Sequence, residues 1–134
     1  VNFSISPETQ VIDFGKFNLL DIRRHTMSKT FSIKTTKSQN DQCTDGFKVS
    51  SSFYTEETLV EEDKALLIGN GLKLRLLDEN ASPYTFNKYA EYADFTSDML
   101  VYEKTYTAEL SSIAGTPIEA GPFDTVVLFK INYN

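Results

Sequence analysis

Few residues of this chain could do covalent chemistry, and none is grouped for it. His25 is the only histidine and follows Arg23 and Arg24. Such a trio could hold an anion, yet no nucleophile stands at a catalytic spacing, and a solvated loop is the plainer expectation. Cys43 is the only cysteine, and one thiol builds neither a metal centre nor a CxxC redox pair. Glu56, Glu57, Glu61, Glu62 and Asp63 offer carboxylates, but without the alternating Asp/Asn and Gly spacing of a calcium loop. Tyr84, Tyr89 and Tyr92 could form a sugar-stacking platform if they shared a face; burial under a long loop is the competing expectation. No glycine-rich phosphate loop follows a strand and no carboxylate pair is placed for acid–base work. The expectation is a protein that is not an enzyme and takes no cofactor or metal. A self-contained carbohydrate-binding sandwich built on the tyrosines stays as the alternative function.

What the pattern does favour is non-covalent chemistry along a backbone. In the last fourteen residues, Phe123, Thr125, Val127, Phe129, Ile131 and Tyr133 occupy every second position after Gly121 and Pro122. Val126 and Leu128 make the other side apolar as well. Alternation of this length predicts a β-strand with one face in a core. The strand runs to Asn134 with no turn or partner after it, and a long apolar strand needs a neighbour beside it. The chemistry on offer is a row of unpaired N–H and C=O groups above an apolar surface.

The remaining segments must position that strand. Val1, Phe3 and Ile5 alternate with polar residues, Pro7 interrupts, and Val11, Ile12, Phe14 and Phe17 follow, which reads as one edge strand broken by a residue that cannot donate. Asn18 to Ser28 reads as loop or turn. Thr30 to Lys37 alternates through Phe31 and Ile33 as a strand, Ser38 to Gly46 carries turn residues, and Phe47, Val49, Ser51 and Phe53 mark the next strand. Tyr54 to Lys64 is acidic and suits a helical turn at most. Ala65 to Ile68 is apolar, Gly69-Asn70-Gly71 is a turn, and Leu72, Leu74 and Leu76 form a strand. Asp78 to Pro83 turns again. Tyr84 to Asp98 is irregular with one short strand, Met99 to Leu110 is a strand through Tyr106 and Ala108, and Ser111 to Pro122 is a connection.

These about six main strands, with no long helix, predict an all-β sandwich in a single domain over residues 1–134. A chain of 134 residues with a formal charge of −6 is large enough for a real core. Its acidity opposes attraction to nucleic acid or anionic lipid. No apolar run approaches the roughly 18 residues of a membrane span. The odd cysteine fits either an incidental cytosolic thiol or an exported domain whose second cysteine lies elsewhere. Asn2-Phe3-Ser4 and Asn80-Ala81-Ser82 match the glycosylation sequon, the latter followed by Pro83.

In this order the segments resemble the subunits of chaperone–usher fimbriae, the pilin family of Gram-negative bacteria. Tyr133 stands second from the end, where the family has an aromatic residue, and Gly121 stands fourteenth from the end, where it has a glycine. Val11-Ile-Asp-Phe-Gly15 is similar to the first-strand motif and Phe31-Ser-Ile-Lys to the second strand, with Cys43 near a family cysteine. Leu72-Lys-Leu-Arg-Leu-Leu-Asp is similar to the fourth strand, and Tyr106-Thr-Ala-Glu-Leu110 to the fifth.

The resemblance implies an incomplete immunoglobulin-like β-sandwich that lacks its seventh strand and is completed by a donor strand. It implies an interface for chaperone and donor at Gly121, Phe123, Thr125, Val127, Phe129, Ile131, Tyr133 and Asn134. It places Phe14, Phe31, Ile33, Leu74, Tyr106 and Ala108 in the core and groove. The implied partners are a periplasmic chaperone, an outer-membrane usher, an adjacent pilus subunit and an upstream receptor-binding domain. Localisation would be periplasmic during assembly and then on the fimbrium at the cell surface. Two departures stand out: Val1 or Phe3 occupies about the place of the family's other cysteine, and the first-strand motif begins almost at once. The second departure implies a domain that accepts a strand and gives none, as at a fimbrial tip; a trimmed shaft subunit would look the same.

Overall fold

Alternate residues along the two longest strands point the same way, and their pairing creates the central ladder. The computed structural model describes residues 3–7, 9–16, 18–37 and 46–133. β2 (Met27–Lys37) runs antiparallel to β8 (Val101–Ser112), with Phe31 opposite Tyr106 and Ile33 opposite Lys104. On the other side of β8 lies β6 (Leu72–Leu77), which places Leu74 against Leu110 and Leu76 against Ala108. β1 (Phe3–Ser6), β5 (Ala65–Gly69) and β4 (Leu59–Val60) extend this first sheet to the order β1-β2-β8-β6-β5-β4. The second sheet holds β7 (Ala90–Phe95), β3 (Phe47–Tyr54) and β9 (Leu128–Tyr133), in the order β7-β3-β9. Every pairing is antiparallel.

The core lies between the sheets. Ile33, Leu74, Leu76, Tyr106 and Ala108 come from the first sheet, and Val49, Phe53, Tyr92 and Phe95 from the second; all are buried. Full burial of a Val, Leu, Ile or Phe side chain contributes about 1.5–3 kcal/mol, so these positions together outweigh any surface interaction. Of the expected core and groove residues, Ile33, Leu74, Tyr106 and Ala108 are buried, whereas Phe14 and Phe31 are half-buried and pack against the cluster.

Three local readings need correction. Residues 18–28 are not all loop: α1 (Leu19–Arg24) is a short helix, capped by Asn18, whose Oδ1 accepts from Leu20 N at 2.8 Å. Six residues are too few to show a helical period, but burial of Ile22 beside Leu72, Leu110 and Ile118 holds the turn in place. The acidic segment is not a right-handed helical turn. It contains β4 and then Glu61, Glu62 and Asp63, all at positive φ (56, 58 and 65°), tied down by the Glu61–Lys73 ion pair at 2.7 Å.

The third correction concerns the terminal strand, which has a ladder only from Leu128, not from Phe123. β3 ends at Tyr54, whose partner is Leu128, so among the described residues the ladder between β3 and the terminal strand does not reach 123–127. Burial nevertheless alternates without a break from Phe123 to Ile131. On the opposite lip, Phe3–Ser6 pairs with β2 while 9–16 follows without a ladder, held at Gln10, whose Nε2 donates to Ser32 O at 2.7 Å.

Candidate functional site

Edge strands carry unpaired backbone groups, so the edges of the two sheets are where this fold can act. Among the described residues, β9 is bonded to β3 alone, and its second edge has no neighbour. Its inward residues make the right contacts on one side. Phe129 lies opposite Phe53, with ring centroids 5.4 Å apart, and reaches Tyr92 at 5.6 Å and Tyr106 at 6.4 Å. Phe129 and Ile131 nevertheless remain half-buried, while Phe53 and Ser51, their cross-strand partners, are buried. A strand in the middle of a sheet would have both flanks covered.

β1 and β9 are edge strands of the two different sheets, and they meet at one pole through Phe3 and Tyr133, 4.9 Å apart. Phe3 also packs on Phe47 at 5.7 Å and Phe95 at 5.2 Å. Away from this aromatic closure the core is flanked by apolar side chains that are only half-covered: Ile5, Ile12, Phe14 and Phe31 from the β1–β2 side, and Val127, Phe129 and Ile131 from β9. Phe31 stacks on Tyr106 at 5.4 Å, which carries the half-covered surface down to the core floor.

The other expected residues fall as follows. Gly121 is exposed at φ 130°, a backbone region that excludes side chains, and nothing occupies the place of its absent Cβ. Phe123 packs on the second core cluster with Ile22 and Leu110. Thr125 faces inward with its Oγ1 enclosed and, among the described residues, without a hydrogen-bond partner. Val126 and Leu128, on the outward side, are 75% and 49% exposed. Asn134 and Cys43 lie outside the described residues.

The competing chemical groupings do not assemble. Tyr92 is 3% exposed and Tyr89 47% exposed, while Tyr84 packs edge-on against Phe53 inside the fold; the three rings share no platform. Burial, with a smaller contribution from Asp78 and Glu79, pushes the Tyr84 hydroxyl up to about 12. Burial raises Tyr92 as well, against the opposing hydrogen bond with Thr35 at 3.3 Å. Tyr106 is raised furthest, again chiefly by burial. The Thr96 hydroxyl, 2.8 Å from Asp98, holds that carboxyl below its usual range. Among the described residues no group of three or more His, Cys, Asp and Glu side chains could hold a metal ion.

A cavity of about 450 Å³ opens beside the 78–81 turn, lined by Leu77, Asp78, Glu79, Tyr102 and Thr107, and another of about 370 Å³ lies near Arg23 and Gly115. Both lie away from β9. The surface along β9 is a strip rather than an enclosed pocket, a shape that suits an extended chain better than a compact ligand.

Sequence reasoning missed one element of this site. Asn70 Nδ2 donates to the carbonyls of Gly121 and Pro122, each at 3.1 Å, and so ties a distant hairpin to the start of the terminal segment. The Asn-Gly turn signal marked the hairpin but could not show its partner.

No protein-family model matches the sequence. Among solved structures, the chain is similar to the P pilus rod subunit PapA in its crystal structure, with a TM-score of 0.77 and 19% identity, covering 98% of this chain and 99% of that one. It is also similar to a chain from a chaperone–usher pilus structure concerned with rod uncoiling, with a TM-score of 0.70, 19% identity, and coverage of 98% and 87%. The chain therefore has the immunoglobulin-like, all-β fold of these pilus subunits.

Proposed function

We propose that this chain is a structural, non-catalytic subunit domain of a chaperone–usher pilus, and that it works by accepting a β-strand along the open edge of β9. The observation that carries the reading is that Phe129 and Ile131 point into the core yet stay half-buried, on a strand that among the described residues has a neighbouring strand on one side only. An added strand satisfies the free backbone groups while its alternate side chains cover the apolar strip. Donor-strand complementation of pilins is a standard example of that mode.

The magnitudes favour a partner that matters for folding. A donor burying about five apolar side chains at roughly 1.5–3 kcal/mol each gains on the order of 10 kcal/mol. That is as large as the stability of a whole domain, roughly 5–15 kcal/mol. In this reading a periplasmic chaperone supplies the first strand, and an adjacent subunit replaces it at the usher. The product is a fimbrium at the cell surface that supports adhesion. The likeness to pilus subunits in fold supports this reading over the carbohydrate-binding one, which needs a tyrosine platform that the fold does not form.

The test compares the chain alone with a version carrying an alternating apolar strand after Asn134, joined by a short turn. The fused form is expected to melt well above the chain alone and to protect the β9 amides from exchange. Equal melting and equal exchange would remove the basis for strand acceptance.

A further inference from the structure

We propose that the flank of β8 from Val101 to Thr105 is a separate docking edge, which takes a short extended protein segment carrying lysine or arginine. This edge belongs to the other sheet from β9 and does not depend on the strand-acceptor reading above.

β2 accompanies β8 from Leu110 back to Val101, whereas β6 reaches only Thr107, opposite Leu77. Lys37 N donates to Leu100 O at 2.7 Å, and Ile113 N donates to Gly71 O at 3.3 Å. Bonded pairs alternate along an antiparallel ladder, so these two bonds fix the same phase from both ends of β8. Its even-numbered residues bond to β2, and its odd-numbered residues turn their N–H and C=O groups to the opposite flank. Thr107, Glu109 and Ser111 find β6 there. Val101, Glu103 and Thr105 face the same way past the end of β6, where among the described residues no strand meets them.

The chain leaves this flank because the turn after β6 closes on itself. Asp78 N donates to Ser82 O at 2.9 Å and Ala81 N to Asp78 O at 3.0 Å, while Asp78 Oδ1 accepts from Asn80 N and Ser82 N. Tyr84 N then donates to Leu76 O at 2.9 Å, on the flank of β6 turned away from β8. The gap that remains is the cavity of about 450 Å³, with Asp78, Glu79 and Ala81 on one wall and Glu103 and Thr105 on the other.

The lining selects the occupant. It holds the carboxylates of Asp78, Glu79 and Glu103 and one cation, Lys104, whose Nζ lies over the Tyr92 ring, 5.9 Å from its centroid. A lysine turned that way does not guard an open edge as edge lysines commonly do. A cationic side chain is therefore favoured in the gap, and the formal charge of −6 opposes a second copy of this chain. Strand addition lets the backbone bond while alternate side chains read the surface. Val101 to Thr105 spans about 13 Å, so a segment of about five residues fits, with its basic side chain beside Glu103 and Glu79.

The test mixes the full chain with short fluorophore-labelled peptides, one alternating lysine with threonine and one alternating glutamate with threonine. Fluorescence anisotropy should show the basic peptide binding at least about tenfold more tightly than the acidic one. Amide exchange should slow at Val101, Glu103 and Thr105 when it binds. Glu79 and Glu103 are both exposed, so the double variant Glu79→Gln, Glu103→Gln keeps the ladder. It should bind the basic peptide about fivefold more weakly, the scale of two exposed ion pairs. Thr105→Pro deletes an N–H that β2 does not use and should remove the protection. Equal binding of the two peptides, wild-type binding by the double variant, or protection of β9 amides with none at 101–105 overturns the proposal and leaves the acceptor reading standing. Protection of 101–105 that grows with protein concentration in the absence of peptide overturns it in favour of a second copy.

Discussion

The ring of Phe3 on β1 stands edge-on to that of Tyr133 on β9, with centroids 4.9 Å apart and planes at 68°. This contact joins the edge strands of two separate sheets at one pole, and Phe47 and Phe95 complete the cluster around Phe3. Phe3→Ala removes all three ring contacts at once. Full truncation of a buried aromatic costs about 3–5 kcal/mol, and Phe3 is half-buried, so a loss of about 2 kcal/mol is expected. For a chain of this size that lowers the melting midpoint by on the order of 8 °C. Val11→Ala is the control: Val11 is 90% exposed, and its loss should stay within about 0.5 kcal/mol. Thermal melts of the two variants side by side check both claims, and equal midpoints would mean that the aromatic closure holds nothing.

Gly71→Ala and Gly69→Ala separate crowding from backbone strain in the same hairpin. A Cβ on Gly71 would fall 2.1 Å from the carbonyl oxygen of Pro117, whereas a Cβ on Gly69 meets nothing within 4 Å. Both residues have positive φ, so both substitutions cost about 1–2 kcal/mol in strain. Only the first must also push the 113–122 connection off the hairpin tip, for a total of about 3 kcal/mol or more. Urea unfolding should therefore rank Gly71→Ala clearly below Gly69→Ala, and a reversed order would show that the connection is not seated there.

The difference between what was legible in the residues and what was not has a physical cause. Strands β2, β3, β6 and β8 could be read because one face is buried, and burial writes itself into alternate positions such as Leu72, Leu74 and Leu76. The same signal over-extended the last strand. Alternation from Phe123 reports where side chains point, but a ladder needs a neighbour, and β3 stops at Tyr54. Helix α1 left only a cap residue, Asn18, and one buried position, Ile22, too little to outweigh loop-like neighbours. The Asn70 anchor joins residues 51 apart, and nothing local announces such a bond. Of the candidate site, the strip of inward residues on the last segment was legible. The half-burial that makes it a candidate acceptor was not, because that depends on what stands beside β9.

Tyr106 offers a last prediction, in which a deletion helps. Its side chain is buried, stacks on Phe31 and meets Phe53 edge-on at 5.2 Å, yet its hydroxyl has no hydrogen-bond partner among the described residues. A phenol enclosed without a partner keeps its desolvation cost, about 1–3 kcal/mol, and gains nothing polar in return. Tyr106→Phe retains the ring packing and should leave stability at pH 7 unchanged or raise it by up to about 1 kcal/mol. The alkaline limb should change too. Burial raises the pKa of Tyr106 above the unfolded value near 10, and that of Tyr84 to about 12. Above pH 10 the unfolded chain therefore loses protons that the folded chain retains, and folding stability falls as pH rises. Below pH 10 both states are protonated and these groups add no slope. Melting midpoints between pH 8 and 12, with tyrosinate absorbance followed in parallel, should show this decline in the wild type and a shallower one in Tyr106→Phe. A variant less stable at pH 7 by more than about 1 kcal/mol would mean that the hydroxyl has a stabilising partner after all.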